Sequence, residues 1–196
     1  MIPEIHAEKT KVFGSVVRDG AVPLRDGVAR LLGEALGEGC RLAIATTTSA
    51  ANVAALLHST LGTGGLEMFS VIACGDEVRA KKPAPDIYQL ALAQLGLGAD
   101  QAVAFEDSAN GLHAAVAAGL WTVVTPTFWT EGSDFAKAGL VLPRLGDPSR
   151  ALDGEPGGQL RSAAWLTFDE LTQRVAPLTV ASQVDAGGNG RRRETA

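Results

Sequence analysis

Two cysteines, three histidines and one tyrosine are all that 196 residues carry of those types, and their scarcity removes several kinds of protein at once. Cys40 and Cys74 stand alone beside apolar runs, so no disulfide framework or thiolate metal site is encoded, and both read as buried thiols. His6, His58 and His113 are too scattered for a zinc pattern. No apolar run reaches the length of a membrane-spanning helix, and Met1-Ile2-Pro3-Glu4 opens no apolar signal core, which points to the cytosol. An excess of positive charge is missing too. The net charge of −5 disfavours nucleic acid and anionic membrane as partners, and any anionic substrate must meet locally placed positive charge.

What the chain has in quantity is small and aliphatic: 46% of residues are hydrophobic and only 5% aromatic, a mix that fills the core of an α/β domain. Apolar runs at Leu42–Thr46, Val71–Ala73, Ala102–Phe105 and Thr122–Thr125 read as buried strands. They alternate with helical patterns at Gly27–Leu36, Ala50–Leu61, Asp86–Leu95 and Ser108–Ala118, which predicts a parallel sheet with right-handed crossovers. A short fifth strand is expected at Gly139–Leu142, a Gly/Pro-rich loop at Asp153–Gln159, and a last helix opening at Thr167 as N-cap. Glu4 to about Arg18 reads as a helix, and Ser182–Ala196 as a disordered tail.

Three strand ends carry chemistry. Phe105-Glu106-Asp107-Ser108-Ala109-Asn110-Gly111 sets two adjacent carboxylates between a strand and a helix. From these residues alone two readings stand: a helix cap by Asp107 or Ser108 with Glu106 solvated, or a magnesium site at the ligand-binding edge of an open sheet. Upstream, Lys81-Lys82-Pro83-Ala84-Pro85-Asp86 places compact positive charge where the prolines hold the backbone out of helix. Further upstream, Thr46-Thr47-Thr48-Ser49 offers hydroxyl and backbone N–H donors at a helix start.

In that order the segments resemble the haloacid dehalogenase superfamily of phosphohydrolases, and most closely its CbbY-like branch, whose best-known members are xylulose-1,5-bisphosphate phosphatases. The resemblance rests on Ile44-Ala45-Thr46-Thr47-Thr48, on Gly75-Asp76-Glu77-Val78 running into Lys81-Lys82-Pro83-Ala84-Pro85-Asp86-Ile87-Tyr88, on Glu106 to Gly111, and on Val123-Val124-Thr125-Pro126-Thr127. It covers roughly Ile5 to Pro148. It implies a Rossmann-like parallel sheet with flanking helices, an Mg²⁺ cofactor and a small phosphorylated sugar as substrate. By position it implies Thr46 as the hydroxyl that hydrogen-bonds the transferring phosphoryl group, Lys82 as the charge that neutralises it, and Glu106 and Asp107 as metal ligands. Thr47, Thr48 and Asn52 match a substrate-phosphate loop, and His6 and Lys9, one turn apart on a cap helix, either reach substrate as in relatives or form a solvated helix face.

One departure matters. Members of the family begin with an apolar strand ending in Asp-x-Asp, whose first aspartate is the nucleophile, and no such segment stands in this sequence. Asp19-Gly20 and Asp26-Gly27 follow no apolar strand, and the Asp26 region matches the hinge returning from the cap. Residues 1–22 are therefore expected to be a remnant of a helical cap, 23–180 an incomplete core, and 181–196 a tail. In the family sheet the absent strand lies between the strands ending at Thr46 and Phe105, which predicts either an open slot or direct pairing of those two strands.

Three functions follow as expectations. The first is a magnesium-dependent sugar-phosphate phosphatase, truncated and inactive as written. The second is phosphoryl transfer of the β-phosphoglucomutase kind, and the third a non-catalytic remnant that binds phosphate or a partner. The identity of the sugar and the oligomeric state are not encoded legibly.

Overall fold

The computed structural model describes residues 22–154, 159–161 and 164–175, together with Glu8, Val12, Val16 and Val17. Those four N-terminal residues are helical, and the rest of the helix expected over Glu4–Arg18 lies outside the described residues. His6 and Lys9, and the tail expected from Ser182, lie outside the described residues.

Ten main elements follow in chain order: α1 (Val28–Gly37), β1 (Leu42–Ala45), α2 (Ala50–Leu61), β2 (Phe69–Ala73), α3 (Asp86–Leu95), β3 (Val103–Glu106), α4 (Ala109–Ala117), β4 (Trp121–Val124), β5 (Leu140–Val141) and α5 (Phe168–Arg174). Their ends have local causes. α3 begins where Pro85 ends the proline-held loop and stops at Gly96, whose left-handed backbone (φ 64°) lets its own N–H reach the Ala93 carbonyl and the next N–H, of Leu97, reach the Leu92 carbonyl. Ser108 caps α4 by accepting from Gly111 N–H, and Thr167 caps α5 by accepting from Glu170 N–H.

Every strand pairing is parallel, yet the strands form two sheets rather than one: β1 with β2, and β3 with β4 with β5. The open slot predicted between the strand ending at Thr46 and the strand ending at Phe105 is therefore present, and direct pairing is not. Packing explains how the halves stay together. On one face a single apolar cluster runs from Val71 and Ala73 of β2, through Ile87, Tyr88 and Ala91 of α3, to Ala104 of β3 and Ala114 and Ala115 of α4. That helical layer spans the slot. On the other face the packing is divided: Val53 and Leu57 of α2 cover β1 and β2, whereas Leu31 of α1 and Leu171 of α5 cover the second sheet with Val123 and Leu140.

Two expectations are corrected. Cys74 is buried, but Cys40 is only partly so, because it precedes β1 and lines the open slot. The fifth strand is two residues long, since only Leu140 and Val141 register with β4. Residues 22–27 form no strand, and Asp26 pairs with Arg150 at 3.0 Å and with Arg144 at 3.9 Å.

Candidate functional site

The carboxyl ends of β1 and β3 meet at Lys82. The loop after β2 brings this lysine in through a cis Lys82–Pro83 bond, and its Nζ donates to Ala45 O at 3.0 Å and to Glu106 Oε1 at 2.5 Å. The ion pair is withdrawn from water, with side chains 15% and 6% exposed. A buried pair survives only where its remaining polar atoms are satisfied. Tyr88, on the first turn of α3, does that by donating its hydroxyl to the same Glu106 oxygen. Burial, and next the Glu106 carboxylate, push the Tyr88 phenol well above its ordinary range, so it stays protonated and remains a donor.

Glu106 also depends on an absent side chain. A Cβ at Gly111 would stand 1.7 Å from Glu106 Oε2, so α4 can pass over the carboxylate only as glycine there. The adjacent Asp107 is different in kind. It is exposed and open to solvent, and the cap of α4 that it was a candidate to supply comes instead from Ser108. Its backbone is anchored, since Thr130 Oγ1 donates to Asp107 O at 2.5 Å.

Across the slot, the loop after β1 gathers the hydroxyl cluster. Thr46 Oγ1 accepts from Thr48 N–H at 3.2 Å, and Asn52 Nδ2 of α2 donates to Thr48 Oγ1 at 3.1 Å. Thr47 is exposed, and its backbone lies against Gly75, where a Cβ would meet Thr47 O at 2.4 Å. Thr46, Thr47, Thr48 and Asn52 thus form one local cluster beyond β1, while Lys82, Glu106 and Asp107 form a second beyond β3. Lys82 links the two through Ala45. Tyr88 and Gly111 were missed by sequence reasoning, although Tyr88 lies in the quoted Lys81–Tyr88 segment and Gly111 closes the Glu106–Gly111 segment.

Among the described residues no three His, Cys, Asp or Glu side chains gather as a metal cage. Mg²⁺ is commonly held by one or two carboxylates completed by water and substrate phosphate. Asp107, free at the mouth, and Glu106, fixed below it, fit part of such a shell.

Comparison with known proteins decides the family. The family model described as haloacid dehalogenase-like hydrolase matches residues 3–119. The chain belongs to the haloacid dehalogenase-like hydrolases. Within them it falls in the CbbY-like branch: it is 49% identical over 141 residues to Protein CbbY of Cereibacter sphaeroides, covering 72% of this chain and 61% of that protein. Its fold matches the crystal structure of CbbY from Rhodobacter sphaeroides in complex with phosphate at a TM-score of 0.69 and 48% identity, over 73% of this chain and 64% of that one. A mutant of that CbbY in complex with xylulose-(1,5)bisphosphate gives a TM-score of 0.70 at 47% identity, over 76% and 67%. The chain thus spans less than two thirds of the length of the CbbY protein it matches over 141 residues.

Proposed function

We propose that this chain carries the phosphate-binding and metal-binding half of a magnesium-dependent sugar-phosphate phosphatase, acting in the cytosol, whose nucleophilic aspartate belongs in the slot between β1 and β3. The observation that carries this reading is Lys82 Nζ, which reaches the end of β1 at 3.0 Å and the Glu106 carboxylate at 2.5 Å, so one ammonium faces both borders of the slot. The likeness to a protein whose structure holds xylulose-(1,5)bisphosphate supports the substrate class.

Each residue then has a task that its surroundings allow. Thr46 accepts from Thr48 N–H and so keeps its own proton to donate to a phosphoryl oxygen. Thr47, Thr48 and Asn52 orient a phosphate at the start of α2. Lys82 exchanges part of its hold on Glu106 for the phosphoryl group, whose developing charge it offsets. Glu106 and Asp107 hold Mg²⁺, which would draw phosphoryl oxygens into one orientation and offset their charge. The nucleophile is the part this sequence does not contain, so the 196 residues alone are expected to turn over no sugar phosphate.

The test is a phosphatase assay of the chain beside a version extended upstream by an apolar strand ending in Asp-x-Asp, each with Asp107→Asn and Lys82→Ala. Turnover by the extended form alone, lost in both variants, supports the reading. Turnover by the short form would mean that the nucleophile is among residues already present. Phosphoryl return to the sugar rather than to water would favour the mutase reading, and phosphate binding without turnover in either form the non-catalytic one.

A further inference from the structure

The loop between β4 and β5 turns two large aromatic side chains out into water. Phe128 is 81% exposed and Trp129 86%, and their rings meet edge to face with centroids 5.2 Å apart and planes at 85°. One exposed apolar residue is ordinary, but two adjacent aromatic rings present roughly 300 Å² in one patch, an area that on a monomer often marks an interaction site. The turn that presents them is well bonded. Thr127 O accepts from Thr130 N–H at 3.0 Å and from Glu131 N–H at 2.8 Å. Thr130 Oγ1 accepts from Thr127 N–H at 2.8 Å and donates to Asp107 O at 2.5 Å. At the root of the turn Arg25 donates to Thr125 O and Pro126 O. The rings are thus held out beside the strand end that carries Asp107.

The charge around them is of one sign. Glu131 and Asp134 follow on the same loop and Asp107 lies across the Thr130 bond; all three are exposed, and among the described residues none of them forms an ion pair. Lys137 is the one basic residue between Thr125 and Pro143. A cation with a flat face fits such a patch, because a guanidinium stacks on an aromatic ring while its N–H groups reach a carboxylate.

We propose that the patch receives the basic run of the same chain, Arg191-Arg192-Arg193, whose guanidinium groups stack on Phe128 and Trp129 and pair with Glu131 and Asp134. The run lies outside the described residues and is the only place in the sequence where three basic residues stand together. Reach does not limit it. From the end of α5 at Arg174, residues 175–190 extend up to about 50 Å, more than the roughly 40 Å across a domain of this size. The tether also decides the strength. Exposed cation–π contacts and surface ion pairs contribute about 0.5–1 kcal/mol each, so three arginines bind in trans with a Kd of about 1 mM. A flexible tether supplies an effective concentration of the same order, which docks the run about half of the time. The inference does not depend on the phosphatase reading.

The test compares the full 196-residue chain with Arg191→Ser, Arg192→Ser, Arg193→Ser combined, both labelled with ¹⁵N. The Trp129 indole N–H, assigned by its loss in Trp129→Phe, should exchange with water about twofold more slowly in the native chain, as half-occupancy requires. Trp121 and Trp165 serve as internal controls and should not change. The protection should vanish at about 1 M salt, where charges are screened within about 3 Å, and should shrink in Glu131→Gln. A capped triarginine peptide at millimolar concentration should restore it to the serine variant. Equal Trp129 exchange in the two chains would overturn the proposal, as would protection that persists at high salt or a change shared equally by Trp121 and Trp165. Protection that grows with protein concentration would also overturn it, since the run would then dock on a second copy.

Discussion

The two faces of this sheet system have the same chain on either side and very different packing. Against α3 and α4 the apolar cluster passes unbroken from β2 to β3, with Ile87 1% exposed and Ala114 and Ala115 fully buried. On the slot side, Phe105 of the same β3 is 44% exposed, and among the described residues no strand pairs with the slot-facing edges of β1 and β3. What holds a parallel sheet in register therefore need not be its central pairing; a helical layer on one face keeps two half-sheets aligned. The lesson for function is that the residues around Lys82 are positioned from the helix side, by Tyr88 and Gly111, before anything enters the slot.

Truncation on the two sides should break or uphold that contrast. Ile87→Ala removes a fully enclosed side chain from the layer that joins the sheets and should lower the unfolding free energy by about 4 kcal/mol. Phe105→Ala, a larger deletion, should lower it by less than about 1 kcal/mol, because much of that ring already meets water. Urea unfolding of both gives the comparison directly, and equal losses would mean that the slot side is packed.

Next in size is the ion pair that closes the slot. Lys82→Met leaves the Glu106 carboxylate buried without its cation, with the Tyr88 hydroxyl and the Asp107 N–H at 3.4 Å as neutral donors, and should remove about 3 kcal/mol, whereas Lys82→Met with Glu106→Leu should recover most of it. A double variant no better than the single one would show that the pair is solvated after all. Gly111→Ala tests the same carboxylate from above. Its Cβ collides with Glu106, so a loss of about 2 kcal/mol is expected, and this loss should shrink once Glu106 is already alanine, as coupled neighbours do.

Much of this arrangement was legible before any coordinates. α2 and α3 begin and end at the expected residues because Ser49 and Gly62, and Pro85 and Gly96, mark their ends unambiguously. The slot was legible only through family resemblance, since no local pattern in Leu42–Thr46 says which neighbour is absent. The division of labour between Glu106 and Asp107 was not legible at all. Both are acids at one strand end, and only the approach of Tyr88, 18 residues upstream on α3, together with the space left by Gly111, buries one and leaves the other exposed. Cys40 was misjudged for a related reason: an apolar neighbourhood in sequence implies burial only if something packs across it.

The two thiols give the mildest probe of the contrast, because alkylation reads exposure without altering the fold. Cys74 is 3% exposed within the α2 cluster, and Cys40 lines the slot. Iodoacetamide should modify Cys40 in the native chain and reach Cys74 only on unfolding, as mass spectrometry of the digested protein would show. The pH dependence follows from the charge next door. Burial first, and then Glu38, raise the Cys40 thiol above its ordinary range, so its thiolate fraction is smaller than that of a free cysteine at neutral pH. The rate should then keep climbing about tenfold per pH unit past about pH 8.5, where a free thiol levels off. Glu38→Gln should bring that plateau to lower pH. A Cys40 rate that levels off like free cysteine, or a Cys74 that reacts equally fast, would mean that the slot is no more open than the helix-backed face.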